Sequence, residues 1–241
     1  MSKLKSAVLY QCTTSFRAIC IFYLIQYAIV LLIALIYGIG TGNYFEIIGS
    51  NCLEMNSLIF VGIFGVLGFT EDFKMLIQNG FTRKYIYLST VSLFTFMAGV
   101  MAFIDTIVGQ TLHFAVNKYS AMFGSVYGYD NVFANWITLM VLYFLMLNLF
   151  YLVILVINKV GKRVSAYLGV IFSGIVLLTI ALFRYVLSAE AVRNVVKFLT
   201  KAMGFMADGT INHLLPVLTL LSVAAILGGC SYAVIRHTEL K

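Results

Sequence analysis

Proline is nearly absent, with one residue in 241, Pro216. It falls in the first turn of an apolar run, where its missing N–H is tolerated. Charge is scarce too: 10% of residues are charged against 62% hydrophobic, and mean hydropathy is +1.00. A soluble domain of this size must wet much of its surface, so this composition excludes one. The solvent is mostly lipid. The four cysteines, Cys12, Cys20, Cys52 and Cys230, have no paired spacing. They read as small hydrophobic residues, not as disulfide or metal partners. His113, His213 and His237 lie apart without ligand spacing, and the glutamate and histidine pattern of intramembrane metalloproteases is missing. No G-x-x-x-x-G-K-[ST] occurs, so the chain holds no P-loop ATPase. Repeats, low-complexity tracts and linkers are also absent. A single transmembrane domain over 1–241 is expected, and no enzyme.

What is present is a series of long apolar runs. A spanning helix needs about 20 such residues. Six spans are expected, at 18–37, 53–69, 85–108, 136–157, 165–187 and 214–235. The second is the weakest, because Glu54 and Asn56 sit at its outer end. The first is long and has no small-residue cleavage site after it, so it reads as an uncleaved span. The net charge of +7 comes largely from clusters at the ends of runs. Eleven of the sixteen basic residues fall on one side: Lys3, Lys5, Arg17, Lys74, Arg83, Lys84, Lys159, Lys162, Arg163, Arg236 and Lys241. That side is expected to be the cytoplasm, with both termini inside. Orientation, not nucleic acid, accounts for the charge.

Two more segments read as helices that do not span. Residues 3–17 place Leu4, Val8, Leu9 and Phe16 loosely on one side, suiting an interfacial helix. In residues 190–206, Val192, Val195, Val196, Leu199 and Met203 form a stripe opposite Arg193, Lys197 and Lys201. This is an outer amphipathic helix. The aromatic stretch between spans three and four, "FAVNKYSAMFGSVYGYDNVFANW", is expected to cap the outer mouth or simply contact lipid.

The stretch "TEDFKMLIQNGFTRKYIY" is the most informative. Thr70 reads as an N-cap, with Glu71 and Asp72 in the first turn. Phe73, Leu76 and Ile77 share one apolar face, and Asn79-Gly80 offers a left-handed terminator. A short capped helix is expected over 70–80. It either lies on the membrane surface or docks a soluble partner.

Here the chain resembles a family, the membrane subunits of type-2 ABC exporters of the type V exporter fold. The resemblance rests on the order of elements and on "EDFKMLIQNGFTRKYIY". It implies an all-α membrane fold with six spans, an interfacial N-terminal helix, a coupling helix between spans two and three, and an outer amphipathic helix between spans five and six. It implies that Glu71, Asp72, Phe73, Leu76 and Ile77 meet a separate ATPase subunit, which binds ATP and magnesium. It also implies a second permease, identical or sibling. Small bacterial members move peptides, bacteriocins or other amphipathic compounds across the plasma membrane, or confer immunity to them. Two other readings stay open: a substrate-capturing subunit of a vitamin importer, and a membrane sensor or scaffold.

Gln26 and Asn148 fall near the middle of spans one and four. They are expected either to bond between helices or to line a transport path. Asp105 and Arg184 sit near the outer interface, either paired or each reaching for water. Gly62, Gly65 and Gly68 on span two, and Ala224, Ala225, Gly228 and Gly229 on span six, are expected at helix contacts.

Overall fold

The buried residues of the first helix are Ala7, Gln11, Ser15, Ile19, Tyr23, Gln26, Ala34 and Gly38. Their steps keep them on one helical face. That continuous stripe explains element α1, an unbroken helix over Lys3–Thr41. An interfacial helix over 3–17, separate from the first span, is therefore corrected: no Gly or Pro interrupts the two, and they are one helix. Leu9 and Phe16 point away from the protein. The computed structural model describes residues 3–42, 53–116, 119–206 and 208–236, and for residues 3 and 69–71 the backbone only.

Helix α2 covers Leu53–Leu67. It runs through a wide π-helical turn at Gly68–Phe73 into α3, Lys74–Gln78. Thr70 thus lies inside a helical run and starts none, so its N-cap reading is corrected. The terminator at Asn79-Gly80 is present. Gly80 has φ +74, its N–H bonds the Ile77 carbonyl at 2.9 Å, and the Phe81 N–H bonds the Leu76 carbonyl at 3.1 Å. This pair of bonds is a Schellman motif.

Helix α4 covers Arg83–Ala115, followed by the short α5, Gly124–Tyr127, and by α6, Val132–Val160. Thr82 stands at the N-cap of α4 in extended backbone, though its side chain makes no capping bond. Helix α7 covers Lys162–Ala181 and ends in a π-helical turn, Leu182–Val186. Helix α8 covers Ala189–Ala202 and α9 covers Leu214–Ile235. Among the described residues the regular structure is helical, apart from an isolated bridge between Phe205 and Ile211.

Among the described residues, five helices are long and apolar enough to cross a membrane: Leu4–Thr41, Arg83–Ala115, Val132–Val160, Lys162–Tyr185 and Leu214–Ile235. This is the make-up of a multi-pass membrane protein. The remaining expected span is the shorter helix Leu53–Leu67, with 15 residues.

Helix α6 is the centre of the bundle. It packs on α9, α4 and α2, while α1 lies on α4. Leu139, Tyr143, Leu147, Tyr151 and Leu155 form its buried stripe at steps of four, against Leu93, Phe94, Met97 and Met101 of α4. Gly65 makes the α2–α6 contact possible, because a Cβ there would stand 2.8 Å from the Leu147 carbonyl oxygen. Helix α7 is different: none of its residues is buried, and it packs on its chain neighbour α6.

Helix α8 is amphipathic as expected. Ser188 caps it by accepting from the Ala191 N–H at 3.3 Å. Glu190 lies in the first turn and Lys201 in the last, each opposing the helix dipole. Val196, Leu199 and Met203 are exposed on its apolar side. The helix ends at Ala202, four residues before the expected limit.

Candidate functional site

Two places hold polar groups that an apolar bundle would not otherwise keep. The first is the turn from α2 to α4. Phe73 and Leu76 are buried in the main core. They hold the α3 segment down on the bundle, so they offer no surface to a partner. As docking contacts, Phe73 and Leu76 are therefore corrected. Asp72 and Ile77 are half-buried, while Lys74, Gln78, Asn79 and Gly80 are exposed. The expectation for Glu71 concerns a side chain outside the described residues.

Around this turn the packing is polar. A cavity of about 370 Å³ between α1 and the α2–α3 run is lined by Gln11, Ser15, Phe64, Gly68, Asp72 and Met75, among others. Gln11 accepts a hydrogen bond from Ser89 of α4, and its amide nitrogen is buried with no partner among the described residues. Arg83 donates to the Arg236 carbonyl at 2.8 Å, joining the start of α4 to the end of α9. One turn on, Tyr87 donates to the Gly228 carbonyl at 2.8 Å. Gly228 leaves room for this approach, since a Cβ would stand 3.0 Å from the Tyr87 hydroxyl.

The second place is at the far end of α4. Asp105 is buried at 3% exposure and accepts a 2.6 Å hydrogen bond from Tyr143 of α6. Tyr23 of α1 and Ser57 of α2 face the same carboxylate. The Tyr143 hydroxyl also lies 3.5 Å from the Glu54 carbonyl. Glu54, buried at 3% exposure, accepts from the Met122 N–H at 3.2 Å and from the Tyr119 hydroxyl at 3.4 Å. Gly109 allows this approach, since a Cβ there would stand 3.2 Å from Glu54 Oε1.

The aromatic stretch forms a cap over this end. His113 stacks on Tyr129 with ring centroids 3.5 Å apart, and Tyr129 accepts from the Ala121 N–H at 2.9 Å. Tyr127 donates to the Met203 carbonyl at 2.9 Å, which ties the cap to the end of α8. Burial there pushes the Tyr127 phenol above its ordinary value. Beyond α8 the chain turns back at Asp208. The Thr210 hydroxyl donates to its carboxylate at 2.7 Å, and with the Thr210 N–H holds the carboxyl below the usual range.

The expected Asp105–Arg184 pair is corrected. Asp105 faces inward to Tyr143, whereas Arg184 is exposed with its guanidinium 5.6 Å from the Tyr185 ring centroid. Gln26 donates to the Leu53 carbonyl at 3.2 Å, a bond between helices. It also lines a cavity of about 290 Å³ with Phe22, Ile29 and Asn56. Asn148 is buried and donates to the Phe144 carbonyl of its own helix at 2.8 Å. Glu54, Tyr143, Asn135 and Gln11 carry the polar interior and were not singled out by sequence as site residues. Among the described residues no group of three or more His, Cys, Asp or Glu gathers as metal ligands. In comparisons with known proteins the chain matches no family model, no curated protein and no solved structure, so its activity has to be read from these residues.

Proposed function

We propose that the chain is the membrane subunit of an ATP-driven ABC exporter in the plasma membrane, working with a separate ATPase and a second permease, identical or sibling. Both termini lie in the cytoplasm in this reading. The observation that carries it is the uninterrupted run from α2 through the π-helical turn into α3. Phe73 and Leu76 fix the run to the core, and Lys74, Gln78 and Asn79 are exposed beside it. A load applied to those exposed residues passes into α2 without a hinge. It passes into α4 through the turn at Asn79–Thr82. The docking face is therefore Lys74, Gln78 and Asn79, flanked by Asp72 and Ile77.

Two further features support the reading. Helix α7 has no buried residue within one chain, and in this reading the second permease covers it. A groove of about 570 Å³ between α2 and α6 is lined by Met55, Leu58, Ile59, Ile63, Met146 and Phe150 among others, all apolar. It suits the apolar part of a peptide or other amphipathic compound. That substrate class rests on analogy with the family the sequence resembles.

The test is purification from native membranes in mild detergent, with an assay of ATP hydrolysis. Lys74→Glu with Gln78→Glu is expected to lose a co-purifying P-loop ATPase while the chain stays folded. A chain that purifies alone, and is indifferent to both changes, would sink the reading and leave a sensor or scaffold in front.

A further inference from the structure

The cap encloses a small cavity of about 20 Å³ between α2, α4 and α6, lined by Glu54, Thr106, Gln110, Tyr129 and Asn135 with a few apolar neighbours. That is room for one body the size of a water molecule. Its polar lining is lopsided. The Asn135 amide nitrogen donates to the Gly128 carbonyl at 2.8 Å. The Gln110 amide nitrogen donates to the Tyr129 carbonyl at 3.1 Å. The Met122 N–H and the Tyr119 hydroxyl both donate to Glu54, and the Ala121 N–H donates to Tyr129. One N–H of each amide and the backbone N–H groups of Ala121 and Met122 are thus held by protein acceptors.

The Asn135 oxygen decides the matter. Asn135 is only 6% exposed, and its Oδ1 is buried with no hydrogen-bond partner among the described residues. A buried acceptor left unsatisfied costs about 1–3 kcal/mol, so something that offers positive charge or a proton belongs against it. One carboxylate and neutral amide and hydroxyl oxygens together make a hard, oxygen-only donor set of charge minus one. A carboxylate offers about four acceptor positions, so bonds to Met122 and Tyr119 and contact with a cation are compatible. Calcium and magnesium carry two charges and call for more carboxylate or more retained water than this volume holds. The second carboxylate nearby, Asp105, does not line the cavity and is bonded to Tyr143.

We propose that this cavity is a site for a single hard monovalent cation of sodium size, held by Glu54, Asn135, Gln110 and Thr106. The ion would fasten the cap, residues 119–131, to α2, α4 and α6 at once. Its donors come from three helices, and Tyr119 and Met122 of the cap bond to Glu54.

The purified full-length chain in detergent is unfolded by heat in sodium, potassium and N-methylglucamine chlorides at one ionic strength. Trp136, the chain's single tryptophan, stands on α6 one residue from Asn135 and reports the transition. A saturable rise of several degrees in the unfolding midpoint is expected in sodium, absent in N-methylglucamine and smaller in potassium. Asn135→Leu is expected to abolish the sodium dependence. If that variant fails to fold, Gln110→Ala carries the same expectation. Equilibrium dialysis with radioactive sodium is expected to find about one ion per chain, lost in either variant. Equal midpoints in all three salts with no retained sodium would mean an ordered water only and would overturn the proposal. So would a sodium effect that survives in both variants.

Discussion

Tyr143 of α6 donates a 2.6 Å hydrogen bond to Asp105 of α4, and both side chains are almost wholly buried. The pair joins the two helices at the end of the bundle away from the α3 turn. Hydrogen bonds between membrane helices average well below 2 kcal/mol because the separated helices find other partners. A carboxylate shut inside the bundle has few such alternatives. Tyr143→Phe is therefore expected to lower stability by about 1–2 kcal/mol, read as a fall in the unfolding midpoint. Asp105→Asn keeps an acceptor for Tyr143 and is expected to cost less. Arg184→Ala is expected to leave the midpoint unchanged, because Arg184 is exposed and remote from this bond.

Much of the fold was legible because lipid leaves a plain signal in length and composition. The long helices α4, α6, α7 and α9 lie where apolar runs predict them. What the apolar pattern did not show was which face of α1 the protein covers. The apolar side read at Leu9 and Phe16 is exposed and not covered by the protein. In α1 the covered stripe instead carries Gln11, Ser15 and Gln26, while leucines and isoleucines turn outward. Local capping rules misled at Thr70 for another reason: a π-helical turn carries the chain through, and no residue type announces one. Glu54 was visible only as a blemish on a span. Its partner Tyr119 lies 65 positions away, beyond the reach of any spacing rule.

The glycines of α2 and α7 are expected to behave oppositely. A Cβ on Gly65 meets the Leu147 carbonyl oxygen at 2.8 Å and Phe150 Cβ at 2.9 Å, close to helix backbone that cannot turn aside. Gly65→Ala is expected to cost about 1–3 kcal/mol through overpacking. At Gly62 the obstacle is the Phe150 ring, at 3.0 Å, which can rotate. Gly62→Ala is expected to cost less. Gly174 has nothing within 4 Å, so Gly174→Ala is expected to match or exceed wild-type stability. Unfolding midpoints of the three variants rank them.

Phe73 and Lys74 are neighbours with separable roles. Phe73 is fully buried in the main core, and Phe73→Ala is expected to cost about 3–5 kcal/mol in stability. Lys74 is exposed, so Lys74→Glu is expected to stay within about 0.5 kcal/mol of wild type. If the α3 segment is a docking element, Lys74→Glu lowers ATPase co-purification at unchanged stability. Equal losses of stability in both variants would remove the distinction between an anchoring face and a docking face.

Acid is expected to loosen the turn between α8 and α9 before it affects the helices. The Thr210 hydroxyl and N–H, at 2.7 Å and 3.1 Å, favour the ionised form of Asp208. Its carboxyl in the folded turn is thus a stronger acid than in the unfolded chain. A depressed value means the stabilisation is present above the unfolded carboxylate range, at neutral pH. It is lost as pH falls through the folded value. Because Asp208 is exposed, the effect is local: the Met206 N–H bond to the Thr210 carbonyl, 3.0 Å, closes the same turn and should open with it. Amide exchange at Met206 and Thr210, corrected for the intrinsic pH dependence, should lose protection in acid in the wild type. In Thr210→Val, which removes the hydroxyl, protection should already be reduced at neutral pH and should change less on acidification. A pH response that Thr210→Val leaves unaltered would assign the acid sensitivity to another group.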